Sequence, residues 1–152
     1  MLFWIGGGCA RTERFRFLAG TAWDVASPQL IQRVKSNDCS LEKLVQRELR
    51  AKGLRFRCHV GTLSGRSDSV FPRERVAVFV DGDFWHGWRL PAWEGKLSEF
   101  WRDKLHANRA RDQRNFRRLR ALGWRIIRLW QHDVHRDLAA CVQRVSDTLE
   151  TP

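Results

Sequence analysis

The segment Val80-Asp81-Gly82-Asp83-Phe84-Trp85-His86-Gly87-Trp88 sets two carboxylates, an imidazole and three large aromatic rings side by side. It follows the run Val76-Ala77-Val78-Phe79-Val80, apolar at every position, which reads as a central strand covered on both faces. Groups just past the end of such a strand are held by a rigid scaffold and still meet ligands. Carboxylates gathered there suit a hard divalent cation with oxygen ligands. His86 is a candidate to move protons during attack on a phosphodiester. Asp68 joins the group if its strand pairs antiparallel with Val76–Val80. Phe84 and Trp85 fit a core or a nucleic-acid surface. Trp85, Trp88 and Trp93 share one short loop containing Gly and Pro, where a core has little room for three indoles. Wedging between bases or stacking on them accounts for the rings better.

A second feature lies downstream. Residues 95–122 read as one long helix closed by Gly123. At 100° per residue, Trp101, Leu105, Phe116, Leu119 and Leu122 form a stripe, and Lys104, Asn108, Arg111, Asp112 and Asn115 fall in its middle. Unpaired charge buried there would cost several kcal/mol per ion. Either Asp112 pairs with Arg111 or Lys104 in a buried structural network, or the stripe lines an open cleft where a phosphate backbone runs. Residues 100–130 carry ten Lys and Arg against two acids, which favours the cleft.

Whole-chain charge points the same way. The 152 residues carry 28 Lys and Arg against 17 Asp and Glu, a net +11, and 23 of the cations are Arg. That excess indicates a polyanionic partner, and Arg forks onto phosphate and base edges better than Lys. With 43% hydrophobic and 30% charged residues, the chain is neither a disordered tail nor a membrane protein. Its longest apolar run falls far short of a membrane span, and the short apolar start lacks the basic region of a secretory signal. Cys9, Cys39, Cys58 and Cys141 form no CxxC pair, so reduced thiols in the cytoplasm are expected.

The positioning elements read as follows. Residues 1–26, with Gly6-Gly7-Gly8, form a loose extension, and 27–150 a single domain. Ser27-Pro28 opens a short helix to about Lys35. Asp38 or Ser40 caps a second, with Leu41, Leu44, Val45 and Leu49 at helical spacing and Gly53 at its end. Phe56, Cys58 and Val60 alternate as in a half-buried strand. Strands near Ser67–Phe71 and Val76–Val80 complete an antiparallel meander. The long helix then crosses over to a strand at Trp124–Trp130, and a last helix covers about 134–150. The expected fold is α/β, in the order α-α-β-β-β-α-β-α, a mixed central sheet flanked by helices.

Several ordered pieces resemble the very-short-patch-repair DNA mismatch endonucleases. They are Ser36-Asn37-Asp38 with Leu41-Glu42-Lys43, Gly65-Arg66-Ser67-Asp68, Val76–Trp88, Phe100-Trp101-Arg102-Asp103-Lys104, Asn108-Arg109-Ala110-Arg111-Asp112 and Leu122-Gly123-Trp124-Arg125. The resemblance implies a restriction-endonuclease-like core and a Mg²⁺-dependent nuclease that nicks double-stranded DNA beside a thymine–guanine mismatch left by deamination of 5-methylcytosine. It implies that Asp68 and the Val80 carbonyl bind the metal, that Glu42 supports a water on it, and that His86 is catalytic with Asp81 beside it. Phe84 and Trp85 would wedge into the base stack, Ile31 would enter from the other groove, and Lys104, Asn108, Arg111 and Asp112 would line the cleft. A nucleoid-associated, cytoplasmic monomer with a functional link to a DNA cytosine methyltransferase fits that picture.

The chain also departs from the family. Asp83, Gly87-Trp88 and Gln131-His132 stand where many members hold a structural zinc, so no zinc is expected and packing of Trp88 and Trp93 takes its place. Ser64 and Ser67 replace prolines beside the metal aspartate. Three rival readings follow: a restriction or phage-defence nuclease of the same fold without mismatch dependence, a DNA-binding module with dead chemistry, and a basic RNA-associated protein. The last gives no reason for Asp68, Asp81 and His86 to converge.

Overall fold

The computed structural model describes residues 28–58, 60, 65 and 67–151. The loose extension expected at residues 1–26 lies outside them. Helix α1 runs Pro28–Ala51, with Pro at the first helical position, where a missing N–H costs nothing. Its side chains are described from Ser40 onward. Leu41, Val45 and Leu49 recur every fourth residue and are buried. The helix ends on Gly53 at φ 77, with Gly53 N–H on the Arg50 carbonyl and Leu54 N–H on the Leu49 carbonyl. This is the left-handed cap that glycine favours. The two short helices expected here are one. Asp38 and Ser40 are good caps, but local capping preference is weak beside the gain from extending a helix already started.

Strands β1 (Ser69–Phe71) and β2 (Val76–Asp81) pair antiparallel, Ser69 opposite Val78. The expected strand over 55–60 is reduced to one antiparallel bridge between Arg57 and Val70. A three-residue β1 offers too short a ladder for more. Phe56 still turns inward, 5.7 Å from the Phe71 ring. Helix α2 (Glu99–Ala121) then crosses over to β3 (Arg125–Trp130), parallel to β2 with Val76 opposite Arg125 and Asp81 opposite Trp130. The sheet order is β1-β2-β3. Helices α3 (Gln131–Arg136) and α4 (Leu138–Glu150) replace the single last helix. The break is at Asp137, whose carboxylate accepts from the Ala140 N–H at 2.9 Å and caps α4.

β2 is buried along its whole length. Its Val76, Val78 and Val80 join Ile127 and Leu129 of β3 in the larger core, under α1, α3 and α4. Ala77 and Phe79 face the other way, onto Phe116 and Leu119 of α2. The result is a mixed sheet flanked by helices, the restriction-endonuclease-like arrangement. Asp81 continues the α2-facing row of β2 one step beyond the core.

One residue of the expected apolar stripe falls outside the core. Leu122 is 61% exposed while Leu119 is fully buried. Leu122 is the C-cap of α2, and helical spacing no longer applies past the last turn. Leu119→Ala is expected to cost about 2–5 kcal/mol in denaturant unfolding, and Leu122→Ala less than about 0.5 kcal/mol.

Candidate active site

The site starts where the β1–β2 ladder runs out. Asp68 N–H donates to the Val78 carbonyl at 3.1 Å. The next inward N–H on that edge, Val80, finds no strand and donates instead to Asp68 Oδ2 at 2.6 Å. A strand residue points its N–H and C=O to the same side in an antiparallel pair, so the Val80 carbonyl shares the Asp68 side. The Asp68 carbonyl accepts from Gln46 Nε2 at 3.0 Å, which docks α1 against the strand entry. Glu42, one turn earlier on the same face of α1, thereby comes close enough for its charge to act on the Asp68 carboxyl.

Asp68 is 8% exposed. Burial, then the charges of Glu42 and Asp81, push its pKa up to about 8 against the opposing Val80 N–H. The crowding of negative charge round Asp68 is what a nearby cation would relieve.

Asp81, 3% exposed, links this corner to the imidazole. Its Oδ2 accepts from Arg128 Nε, and its Oδ1 lies 3.5 Å from His86 Nδ1. The same Nδ1 is 2.7 Å from Asp112 Oδ2, across on α2. Burial would lower the His86 pKa, but the Asp112 hydrogen bond and the charges of Asp81 and Asp112 outweigh it and the Arg128 charge, and the net shift is upward. Asp112 is therefore neither the partner of Lys104 nor part of a sealed network. Arg111 lies 3.6 Å from it with a mostly exposed side chain. Arg128 is held between the rings of Phe116 and Trp130, at 4.9 and 4.4 Å.

The loop after β2 carries the aromatics. Phe84 lies 5.3 Å from Trp85, 6.0 Å from Trp93 and 5.6 Å from Trp101, all centroid distances. Phe84 and Trp85 are half-buried, between core and surface. The Trp85 indole N–H is buried without a hydrogen-bond partner among the described residues. Asn108 reaches the Trp85 carbonyl at 3.3 Å, and exposed Lys104 places its ammonium over Trp85, Phe100 and Trp101. Ile31 lies in α1, and its side chain is outside the described residues.

A family model described as DNA mismatch endonuclease Vsr matches residues 26–91. Type II nicking enzyme V.XorIIP of Xanthomonas oryzae pv. oryzae is 41% identical over 123 residues, covering 80% of this chain and 90% of that protein. The chain belongs to the Vsr family. Type II nicking enzyme V.NmeDIP of Neisseria meningitidis serogroup C is 36% identical, over 76% of this chain and 80% of that one. DNA mismatch endonuclease Vsr of Escherichia coli K12 is 34% identical, over 66% of each. Membership makes the chain an endodeoxyribonuclease whose substrate is DNA.

Asp68 and the Val80 carbonyl, the pair that the family resemblance implies for a metal, lie on one side of the end of β2, and a carboxylate with a backbone carbonyl would suit Mg²⁺. Mg²⁺ keeps several waters and needs only one or two carboxylates. Among the described residues no three His, Cys, Asp or Glu side chains converge as a metal cluster, and such a cluster is not required here. Where the family resemblance led us to expect no zinc, His132 Nδ1 meets Asp83 Oδ1 at 2.7 Å, and Trp88 packs 4.3 Å from the His132 ring. The Trp93 indole N–H donates to the Trp88 carbonyl. Of the two serines noted in the sequence, Ser64 lies outside the described residues, and Ser67 is buried with its hydroxyl unpartnered among the described residues.

Two residues of the site escaped the sequence reading. Gln46 sits among the apolar positions of an amphipathic helix, where nothing in the spacing marks it. Arg128 lies in a strand that reads as apolar, although an Arg alternating with Ile127 and Leu129, two positions before the partner of Asp81 and on the same face of the sheet, was a usable signal.

The Asp68 shift has a measurable sign. Between its unfolded pKa near 3.8 and its folded value near 8, the folded chain holds a proton that the unfolded chain has lost. Asp68 therefore makes stability fall as pH rises through that window. In chelator near pH 8, Asp68→Asn is expected to melt at a higher temperature than the parent, with the gap closing near pH 4. Mg²⁺ should raise the melting temperature of the parent and not of the variant.

Proposed function

We propose that this endonuclease nicks one strand of double-stranded DNA, with Mg²⁺, at or beside a thymine–guanine mismatch. The observation that carries the reading is the His86 imidazole, bonded to Asp112 and facing Asp81, one residue along β2 from the Val80–Asp68 contact. Mg²⁺ held by Asp68 and the Val80 carbonyl would neutralise charge on the phosphodiester and acidify a water. Glu42 is within reach to orient that water. Asp112 fixes Nδ1 of His86, so Nε2 is the nitrogen that exchanges a proton with the water or with the leaving sugar oxygen. The water oxygen bonds to phosphorus, one phosphorus–oxygen bond to sugar breaks, and the leaving oxygen takes up a proton. Arg128 holds Asp81 in place throughout.

Mismatch selectivity comes from the rings. Phe84 and Trp85 stand on the same loop as His86 and can wedge between bases, a step that costs least where stacking is already weak. Lys104, Asn108 and Arg111 lie along one side of α2 for the backbone phosphates. The protein acts as a monomer. A DNA cytosine methyltransferase is its functional partner, because deamination of the methylated base creates the mismatch. A second reading, a restriction or defence nuclease indifferent to mismatch, is favoured by two relatives being named type II nicking enzymes.

Nicking of a thymine–guanine duplex beside its thymine–adenine control, and of methylated and matched duplexes, with and without Mg²⁺, separates these readings. The first predicts cutting of the mismatched duplex alone. Equal cutting of all duplexes selects the second, and salt-sensitive binding without cutting leaves only a binding module. Asp68→Ala should abolish nicking and spare binding, and residual Mg²⁺-dependent nicking by that variant defeats the metal assignment. His86→Ala should lose about 10²–10⁴ in rate.

A further inference from the structure

Beside His86 the surface sinks into a recess of about 140 Å³ lined from the aromatic loop, α2 and β3. Three guanidinium side chains, Arg89, Arg109 and Arg128, line it together with His86. Asp112 is the one carboxylate in its wall, and that group is already bonded to His86. Arg128 is likewise committed to Asp81. Neither Arg89 nor Arg109 has a carboxylate partner among the described residues. Two cations brought to one hollow without carboxylate partners of their own repel one another unless an anion joins them.

The backbone is shaped to bring them there. Gly87 has φ +61, and a Cβ on it would lie 2.9 Å from Arg109 Cδ. The bare glycine lets the Arg109 stem lie against the loop. Arg89 holds φ 50, a left-handed conformation that is uncommon outside glycine and gathers at functional sites. Its guanidinium lies 4.4 Å from the centroid of the Trp88 ring, which fixes the charged head beside the hollow.

We infer that this recess is a phosphate subsite, seating a backbone phosphate of the DNA strand next to the phosphodiester that is cut. The inference rests on the reading of His86 as the group at the scissile phosphate. Asp68 and Glu42 do not line the recess, so the phosphate seated there is a neighbour of the one attacked. A guanidinium suits it because its forked N–H groups match phosphate oxygens in pairs. Seating a neighbouring phosphate fixes the register of the strand against His86, a positional role independent of the mismatch wedge.

The test is equilibrium binding of the full chain to a thymine–guanine duplex in chelator, with one uncharged methylphosphonate walked through the phosphates around the nick. At one position the parent should lose affinity, on the order of fivefold, and Arg109→Gln should lose nothing further there. The slope of log affinity against log salt should fall by about 0.9 in Arg109→Gln. Arg89→Gln supplies the same comparison if Arg109→Gln does not fold. Methylphosphonate effects that add to the Arg losses at every position overturn the inference. So does inorganic phosphate raising the melting temperature of the DNA-free parent with no coupled backbone position, since the ligand is then free phosphate. Mg²⁺-dependent nicking without coupling removes the subsite and keeps the proposed function. Coupling without nicking does the reverse.

Discussion

A carboxylate buried in a sheet must be compensated, and Asp81 is compensated from two directions at once. Arg128 reaches it across the β2–β3 ladder, and His86 returns to it from the loop that follows. Removing either partner would leave that buried charge under-compensated, and removing one partner of a buried ion pair typically costs about 3–5 kcal/mol. The loop bearing His86 is tied by that need to the strand it leaves. Asp112 then ties the same imidazole to α2, so loop, strand and helix converge on one ring.

The acidic corner obeys a different constraint. β1 is too short to cover the inner end of β2, and the Val80 N–H is left for Asp68. Termination of the ladder and capture of the Asp68 carboxylate by β2 are one event. Its cost is the crowding of Glu42, Asp68 and Asp81, visible as the upward shift of Asp68. Arg128 and His86 offset part of this crowding from the α2 side of the sheet. The unpartnered Ser67 hydroxyl and Trp85 indole N–H border the same region, as expected where function rather than packing has set the side chains.

Much of this was legible in the residues. The all-apolar run 76–80 gave a central strand with both faces covered, and the charged centre of the long helix marked the face that meets the site. Gly53 and Gly123 marked helix ends through the positive φ that each adopts. What failed were boundaries set by competition. Asp38 and Ser40 are caps in one context and helix interior in another, whereas Asp137 is a cap inside a segment that reads as one helix. Phe56–Val60 has the alternation of a strand but lacks a partner long enough to make it one. Arg128 and Gln46 were illegible because their roles are contacts to residues distant in sequence, and periodicity carries no information about the far partner. The convergence of Asp68, Asp81 and His86 was legible only through the antiparallel pairing assumed for Asp68.

The ladder pairing of Arg128 with Phe79 bears on how the chain reaches its fold. A parallel strand delivered by a long crossover can dock one residue out of step, and such a slip exchanges the two faces of the strand. Here the error would swing Arg128 into the aliphatic layer under α1 and desert Asp81. Misaligned docking is thus penalised by electrostatics as well as by packing. The residues that would serve turnover also proofread strand alignment, so variants at Arg128 should be examined for slow or heterogeneous refolding before any loss of rate is assigned to chemistry.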